Sequence, residues 1–157
     1  MRKRIINQST QTTPSTNQDW LDLERIAQVE ITSEDSAFPI ESALITGTGS
    51  GWRAAHPGKQ IIRIFFDKPQ KLKRIHLLFD EDKLERTHEF VLSWAVDRGK
   101  SYHEILRQQY TFSPPNTTQE NEDYTVNLDG VMVLELRIVP DISGGSAHAS
   151  LTRLQVA

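Results

Sequence analysis

Two arginine–histidine pairs are the residues whose types and spacing are best suited to chemistry. His56 lies three positions after Arg53. His88 lies two positions after Arg86. Arginine offers a planar fork of N–H donors, and histidine offers a donor, an acceptor or both according to its protonation. The four residues therefore predict a ligand-binding site for a hydroxyl-rich or weakly anionic ligand, the alternative being solvated loop charges.

The sequence contains no recognisable catalytic or metal-binding pattern. Its five histidines include no HxxxH or similar ligand pair, and the absence of cysteine excludes thiolate chemistry and Cys-ligated zinc. Acidic residues occur in predicted loops without a partner that would tune them as acid and base. No nucleophile elbow or triad order occurs either. We therefore predict a protein that is not an enzyme and that holds no cofactor and no metal.

Residues 47–52 contain two features that each have two interpretations. Gly47-Thr48-Gly49-Ser50-Gly51 resembles a phosphate-binding loop, but the Lys-Ser/Thr that should follow is absent, which favours a flexible loop. Trp52 could stack on a sugar ring, or it could pack inside the domain.

Composition predicts one domain without a strong charge preference. The 157 residues are enough to bury roughly two thirds of the unfolded surface. With 18 basic and 21 acidic residues, the net charge is −3, so we expect no general binding to nucleic acid. No apolar run approaches the roughly 18 residues that span a bilayer. Residues 1–18 are rich in polar side chains and are predicted to be a disordered tail, leaving 19–157 as the domain.

The N-terminal sequence and the absence of cysteine indicate the cellular compartment that we expect for the protein. Met1-Arg2-Lys3-Arg4 resembles the start of a signal peptide, but only Ile5-Ile6 follows before a polar run. A secretory apolar region needs about 7–15 residues. Small secreted domains also often depend on disulfides. We therefore expect a cytoplasmic protein.

Alternating apolar and polar residues predict the strands that must position the candidate site. In residues 60–79, Ile62, Ile64 and Phe66 alternate with their neighbours until Asp67-Lys68-Pro69 interrupts the run. We interpret this stretch as an antiparallel hairpin with a tight turn. A second hairpin is predicted around Asp129-Gly130. The predicted strands are residues 27–32, 61–66, 72–79, 89–96, 102–109, 124–128, 131–139 and 150–156.

Eight strands and almost no helix predict an all-β, mainly antiparallel jelly-roll β-sandwich. If successive strands run antiparallel, alternate connections lie at the same end. The long connections 33–60, 80–88, 110–123 and 140–149 would then share one rim, opposite the short ones at 67–71, 97–101 and 129–130. In strand 89–96, the alternation predicts that Phe90, Leu92, Trp94 and Val96 share one face, with Trp94 buried.

Several segments, in order, resemble the discoidin, or coagulation-factor type C, domain of the galactose-binding-like superfamily. They are Gly51-Trp52, the stretch IIRIFFDKPQKLKRIHLLF, the stretch EFVLSWAVDRGKSYHEIL, and LELRIVP with ASLTRLQV. The resemblance covers residues 27–157. It implies a non-catalytic module that binds glycans, lipid head groups or proteins through loops at one rim.

The resemblance makes a carbohydrate the leading ligand class. The alternative is a protein-interaction module like the N-terminal domain of a DNA single-strand-break repair scaffold, which shares the fold and binds a polymerase. The sequence departs from the family where many members carry acids that serve a structural calcium. An Asp-Gly-Asp element is missing before Trp52, and Arg153 stands where a glutamate is common. This departure predicts no structural calcium.

Overall fold

The structure, a computed structural model, describes residues 20–45, 47 and 49–157. The predicted polar tail of residues 1–18 lies outside them. Two short helices, α1 and α2, cover Leu23–Ile26 and Glu41–Leu44. The strands are β1 Ala27–Ile31, β2 Trp52–Pro57, β3 Gln60–Asp80, β4 Arg86–Ala95, β5 His103–Phe112, β6 Gln119–Val139, β7 His148–Leu151 and β8 Arg153–Val156. No helix among these residues is long and apolar enough to cross a membrane.

All strand pairs are antiparallel, which confirms the predicted all-β sandwich. The main sheet has the order β1-β3-β6-β4-β5, and β8 pairs with the second half of β3. β2 and β7 form a separate two-stranded sheet. The first strand lies where the alternation predicted it, with Gln28 and Glu30 exposed between more buried neighbours.

Both predicted hairpins are wrong, because the residues of each predicted hairpin form one continuous strand. β3 and β6 are each 21 residues long, and they pair from Gln60↔Ile138 to Asp80↔Gln119. The ladder shifts register between Phe65 and Arg74, a segment that contains Pro69, which has no N–H to donate. The signals interpreted as turns therefore mark irregularities inside a long two-stranded ribbon, here called the β3–β6 ribbon.

The β3–β6 ribbon bends so that it belongs to both layers. A straight 21-residue strand would be about 70 Å long. Ile138 of β6 pairs with Gln60 at the start of β3 and with Phe90 of β4. The Phe90 ring centroid lies 5.2 Å from that of Phe79, near the other end of β3. The end of β3 thus packs across the core against the sheet that contains the start of β3.

The second half of β4 does not face as predicted. Phe90 and Leu92 are buried, as predicted. After Leu92 the buried residues are Ser93 and Ala95, whereas Trp94 is half-buried and Val96 is 51% exposed. The β4–β5 register shifts between Leu92 and Ser93. Trp94 packs at the edge of the core with its ring 5.6 Å from that of His103. The prediction of a buried Trp94 and inward Val96 was wrong because strict alternation stops at this irregularity.

Two further local predictions needed correction. The stretch 33–60, predicted as one irregular connection, contains α2 and β2. The single last strand predicted over 150–156 is two strands that separate at Thr152 and pair with different partners, β7 with β2 and β8 with β3. These short elements place β2 and β7 side by side at the end of the sandwich where the long connections lie.

Candidate functional site

A cleft of about 720 Å³ lies at the loop end of the sandwich. It combines the connection before β2, the strand pair β2–β7, the connection after β3 and the residue that separates β7 from β8. We call it the rim cleft. Its lining residues are Phe38, Ser50, Trp52, Arg53, Asp80, Glu81, Asp82, Lys83, Leu84, Thr118, His148, Ser150 and Thr152.

Trp52 forms part of the base of the rim cleft. The side chain is 1% exposed, and its Nε1–H donates to the carbonyl oxygen of Ser33 at 3.0 Å. Gly51 precedes it with φ +99°, and a Cβ there would lie 2.7 Å from the carbonyl oxygen of Leu151. The sequence left stacking or packing open for Trp52, and the residue packs inside. Its fixed position supports the β2–β7 wall rather than offering a broad stacking face.

Asp80 joins three segments of the rim cleft. One carboxylate oxygen accepts from Thr152 Oγ1 at 2.7 Å, and the other accepts from Gln119 Nε2 at 2.9 Å. The amide of Glu81 donates to the carbonyl oxygen of Thr118 at 2.8 Å. These bonds hold the end of β3, the start of β6 and the β7–β8 junction together.

The turn after β3 is organised by the carboxylate of Glu81. One oxygen accepts from the amides of Lys83 and Leu84 at 2.9 and 3.1 Å, and the other accepts from Arg86 Nε at 2.7 Å. Burial alone would raise the pKa of Glu81, but these donors hold that pKa below its ordinary value. Arg86 also donates to the carbonyl oxygen of Pro140 at 2.7 Å, which fixes the connection after β6.

A second buried pair lies beside the first. His88 Nε2 and Glu120 Oε1 are 2.6 Å apart, and each side chain is 1% exposed. Burial, with a smaller contribution from the charge of Arg86, lowers the pKa of His88 to about 3. Burial also raises the pKa of Glu120. His88 is therefore neutral at pH 7. Glu81, Arg86, His88 and Glu120 together are called the buried polar layer.

The structure separates the four predicted site residues. Arg53 is exposed and lines the rim cleft. His56 is exposed on the same strand but does not line the cleft. Arg86 and His88 are 5% and 1% exposed, so their side chains are buried and do not face solvent as that of Arg53 does. Both alternate inward with Phe90 on β4, and that period-two pattern was the sequence signal for their burial.

His148 is a cleft residue that sequence reasoning missed. Its Nδ1 lies 2.9 Å from the carbonyl oxygen of Ala54. A carbonyl can only accept, so Nδ1 donates, and in the neutral ring Nε2 is left as an acceptor. His148 and Ser150 alternate with buried Ala149 and Leu151 on β7. This alternation was a possible signal, but only the pairing with β2 places His148 at the cleft. Among residues 20–45, 47 and 49–157, no group of three or more acidic or histidine side chains could hold a metal ion.

Comparisons with solved structures identify the fold. A pectin-binding carbohydrate-binding module matches with a TM-score of 0.62 at 15% identity, over 84% of this chain and 90% of that one. The family 32 module of NanJ from C. perfringens, in complex with galactose, matches with 0.61 at 15% identity, over 87% and 96%. The CBM32 module of AlyQ, in complex with 4,5-unsaturated mannuronic acid, matches with 0.62 at 16% identity, over 84% and 95%.

The protein has the galactose-binding-like fold. This result confirms the fold expected from the discoidin resemblance. No sequence-family profile matches the chain, and no curated protein matches it in sequence. The rim cleft and the buried polar layer lie next to each other in this domain, joined by Glu81, which belongs to both.

Proposed function

We propose that this protein is a non-catalytic carbohydrate-binding module and that its ligand occupies the rim cleft. The observation that carries the proposal is the cleft itself. It is about 720 Å³ in volume, and it places the donor side chain of Arg53 and the acceptor side of His148 in one concave surface. Sugar hydroxyls need donors and acceptors in such an arrangement. Solved neighbours of the same fold are described as binding pectin and galactose, which supports the ligand class.

The cleft also contains apolar surface that suits a sugar ring. Phe38 is half-buried in the wall, and its carbonyl oxygen accepts from the amide of Arg53 at 3.1 Å. Leu84 is 51% exposed on the opposite connection. We assign Phe38 and Leu84 to the apolar face of the ligand and Arg53 and His148 to its hydroxyl groups. Arg86 and His88 support the cleft from behind.

The carboxylates of the cleft favour binding over acid–base catalysis. Both oxygens of Asp80 and both oxygens of Glu81 accept hydrogen bonds from the protein. A general acid and base would need two carboxyl groups free to exchange protons with a substrate. The protein-interaction alternative stays a prediction without support from the comparisons.

A glycan array followed by affinity electrophoresis tests the proposal. Arg53→Ala and His148→Ala should each weaken retardation by the bound glycan, because each removes a hydrogen-bonding group from the cleft. His56→Ala is the matched control, since His56 is exposed on the same strand as Arg53 but lies outside the cleft. Normal binding by both cleft variants would contradict the proposed site. The absence of binding to any glycan would contradict the proposed function.

A further inference from the structure

Three polar side chains at the start of β6 point toward the interior of the sandwich. Glu120, Glu122 and Tyr124 alternate with exposed Asn121 and Asp123, as the two-residue period of a strand requires. Glu120 is 1% exposed, and the other two inward residues are half-buried. None of the three lines the rim cleft. Two inward carboxyl groups need partners within the protein, because burying an unpaired charge is costly.

The carboxyl group of Glu120 lacks a donor for one of its two oxygens. His88 Nε2 lies 2.6 Å from Oε1. The other oxygen, Oε2, is buried and accepts from no amide, hydroxyl or ring N–H among the residues that the structure describes. The carboxyl group of Glu122 forms a hydrogen bond with that of Glu120. Two ionised carboxylates are both acceptors and repel each other, so this contact needs a proton.

The described groups around the pair cannot neutralise two carboxylates. The charged and titratable neighbours are Arg86 and His88 on β4, Tyr110 on β5 and Tyr124 on β6. Arg86 is the cation of this set, and it is paired with Glu81 at 2.7 Å. His88 is neutral at pH 7, and β3 contributes the apolar ring of Phe79 beside it. Burial raises the pKa of both carboxyl groups, that of Glu122 to about 7.

We propose that Glu120 and Glu122 share one proton at neutral pH, and that this proton closes the side of the sandwich between β5 and β6. The O–H of Glu122 donates to Oε2 of Glu120, and Oε1 of Glu120 accepts from His88. Glu122 Oε2 in turn accepts from Gln108 Nε2 of β5 at 3.2 Å. The carboxyl pair thus joins β4, β5 and β6, and the contact between its two members depends on the shared proton.

The bridge continues into the rim cleft through the two residues that precede the pair. The carbonyl oxygen of Gln119 accepts from the hydroxyl of Tyr110 at 2.9 Å, and its side chain donates to Asp80 at 2.9 Å. The carbonyl oxygen of Thr118 accepts from the amide of Glu81 at 2.8 Å. Loss of the proton at alkaline pH places two like charges in the interior. We therefore expect the start of β6 to separate from β5 and the adjoining wall of the cleft to loosen.

NMR of the side-chain carboxyl carbons tests the shared proton in the wild-type protein. Two carboxyl groups that share a proton titrate in two coupled steps, one of them well above the ordinary range of glutamate. The side-chain amide signals of Gln108 should shift with that upper step, because its partner Glu122 then changes charge. Titration of Glu120 and Glu122 as two independent, ordinary glutamates would overturn the inference.

Glu122→Gln then separates the proton from the contact. The amide of glutamine carries a permanent N–H donor, so closure should no longer depend on pH. Exchange of the Glu81 amide, corrected for the intrinsic pH dependence of exchange, reports closure at the cleft. Its protection in the wild type should fall about tenfold or more between about pH 6 and about pH 9, the change that one pKa unit represents. In the variant it should stay constant.

Asp123→Asn is the matched control. Asp123 lies on the same strand but on its exposed face, where it pairs with Arg74. This variant should keep the pH dependence of the wild type. Removal of the pH dependence by Asp123→Asn as fully as by Glu122→Gln would overturn the inference, because any acid of β6 would then suffice.

Two further results would contradict the proposal. Constant protection of the Glu81 amide in the wild type would overturn the closure of the sandwich by the shared proton. A pH-dependent loss that persists in Glu122→Gln would assign the effect to another group. All of these measurements use the protein without a saccharide, so their failure leaves the proposed carbohydrate binding untouched.

Discussion

The rim cleft and the buried polar layer lie next to each other and use their charges in opposite ways. In the layer, the charge of Arg86 is paired with Glu81 and the neutral ring of His88 is hydrogen-bonded to Glu120, and these side chains are largely removed from water. In the cleft, Arg53 and Lys83 face solvent, and neither side chain has a hydrogen-bond or ion-pair partner among the described residues. Buried charges must be paired because their desolvation is costly. Exposed charges stay hydrated, so they can remain unpaired in the absence of a ligand at little cost. An arginine near a loop is therefore a candidate for ligand binding only if its side chain is not already paired with a carboxylate of the protein.

The largest expected effect comes from breaking the layer. Arg86→Ala removes the positive charge that faces Glu81 and leaves one of its carboxylate oxygens and the carbonyl of Pro140 without a donor. Removing one partner of a buried ion pair costs about 3–5 kcal/mol, so urea unfolding should show a loss of that size. Arg107→Ala is the control, because Arg107 pairs with Glu89 and Glu104 at an exposed position, where pairs contribute about 0–1 kcal/mol. Equal losses in the two variants would mean that Arg86 is not buried as described.

The second effect tests the cleft. Arg53→Ala should leave the free energy of unfolding within about 0.5 kcal/mol of the wild-type value, because the side chain is exposed and forms no hydrogen bond or ion pair among the described residues. It should nevertheless weaken binding of a ligand found on the array by about 10- to 100-fold, as for a lost charge-assisted hydrogen bond. Calorimetry measures the affinity, and urea unfolding measures the stability. A variant that unfolds more easily but binds normally would reverse the roles assigned to the two regions.

The smallest expected effect concerns pH. Burial and the neighbouring Glu120 raise the pKa of Glu122 from 4.5 to about 7, so folding favours its protonated form. Its contribution to stability is full below about pH 4.5 and is lost as pH rises through about 7. The lowered pKa of His88 acts in the other direction. Its contribution is present above about pH 6.5 and is lost as pH falls toward 3.

Glu122→Gln separates these two contributions. As pH rises from 5 to 9, the stability of the variant should fall less than that of the wild type. The loss of stability toward acidic pH, which comes from His88, should remain. Melting temperatures across this pH range give the measurement, and Glu24→Gln, on an exposed residue of α1, is the control. An unchanged decline above neutral pH would show that Glu122 does not titrate in this range.

Much of the fold could be predicted because period-two alternation reports burial on both faces of a strand. The same pattern misled where the ladder is irregular. Pro69 and Asp129-Gly130 are typical of turns. The sequence does not show that β3 and β6 continue through these points and pair again beyond them. Trp94 was placed on the wrong face for a similar reason, because the irregularity is visible only in the pairing of β4 with β5.

The candidate site was predicted less completely than the fold. Arg53 was found from its residue type, and its neighbours in the cleft come from segments distant in sequence. His88 could have been recognised as buried, since it shares the inward face of β4 with Phe90. His148 could not be placed at the cleft, because β7 alternates but its pairing with β2 is not visible in the sequence.

The continuous β3–β6 ribbon affects how the domain unfolds. In a sandwich whose layers are made of different strands, one layer can open while the other persists. Here the same two strands run through both layers, so opening either layer pulls on hydrogen bonds in the other. Residues that pair along the ribbon are up to 78 positions apart, as between Gln60 and Ile138. Such distant pairing is typical of slow folding and a single cooperative transition, with the slowest amide exchange expected along the ribbon.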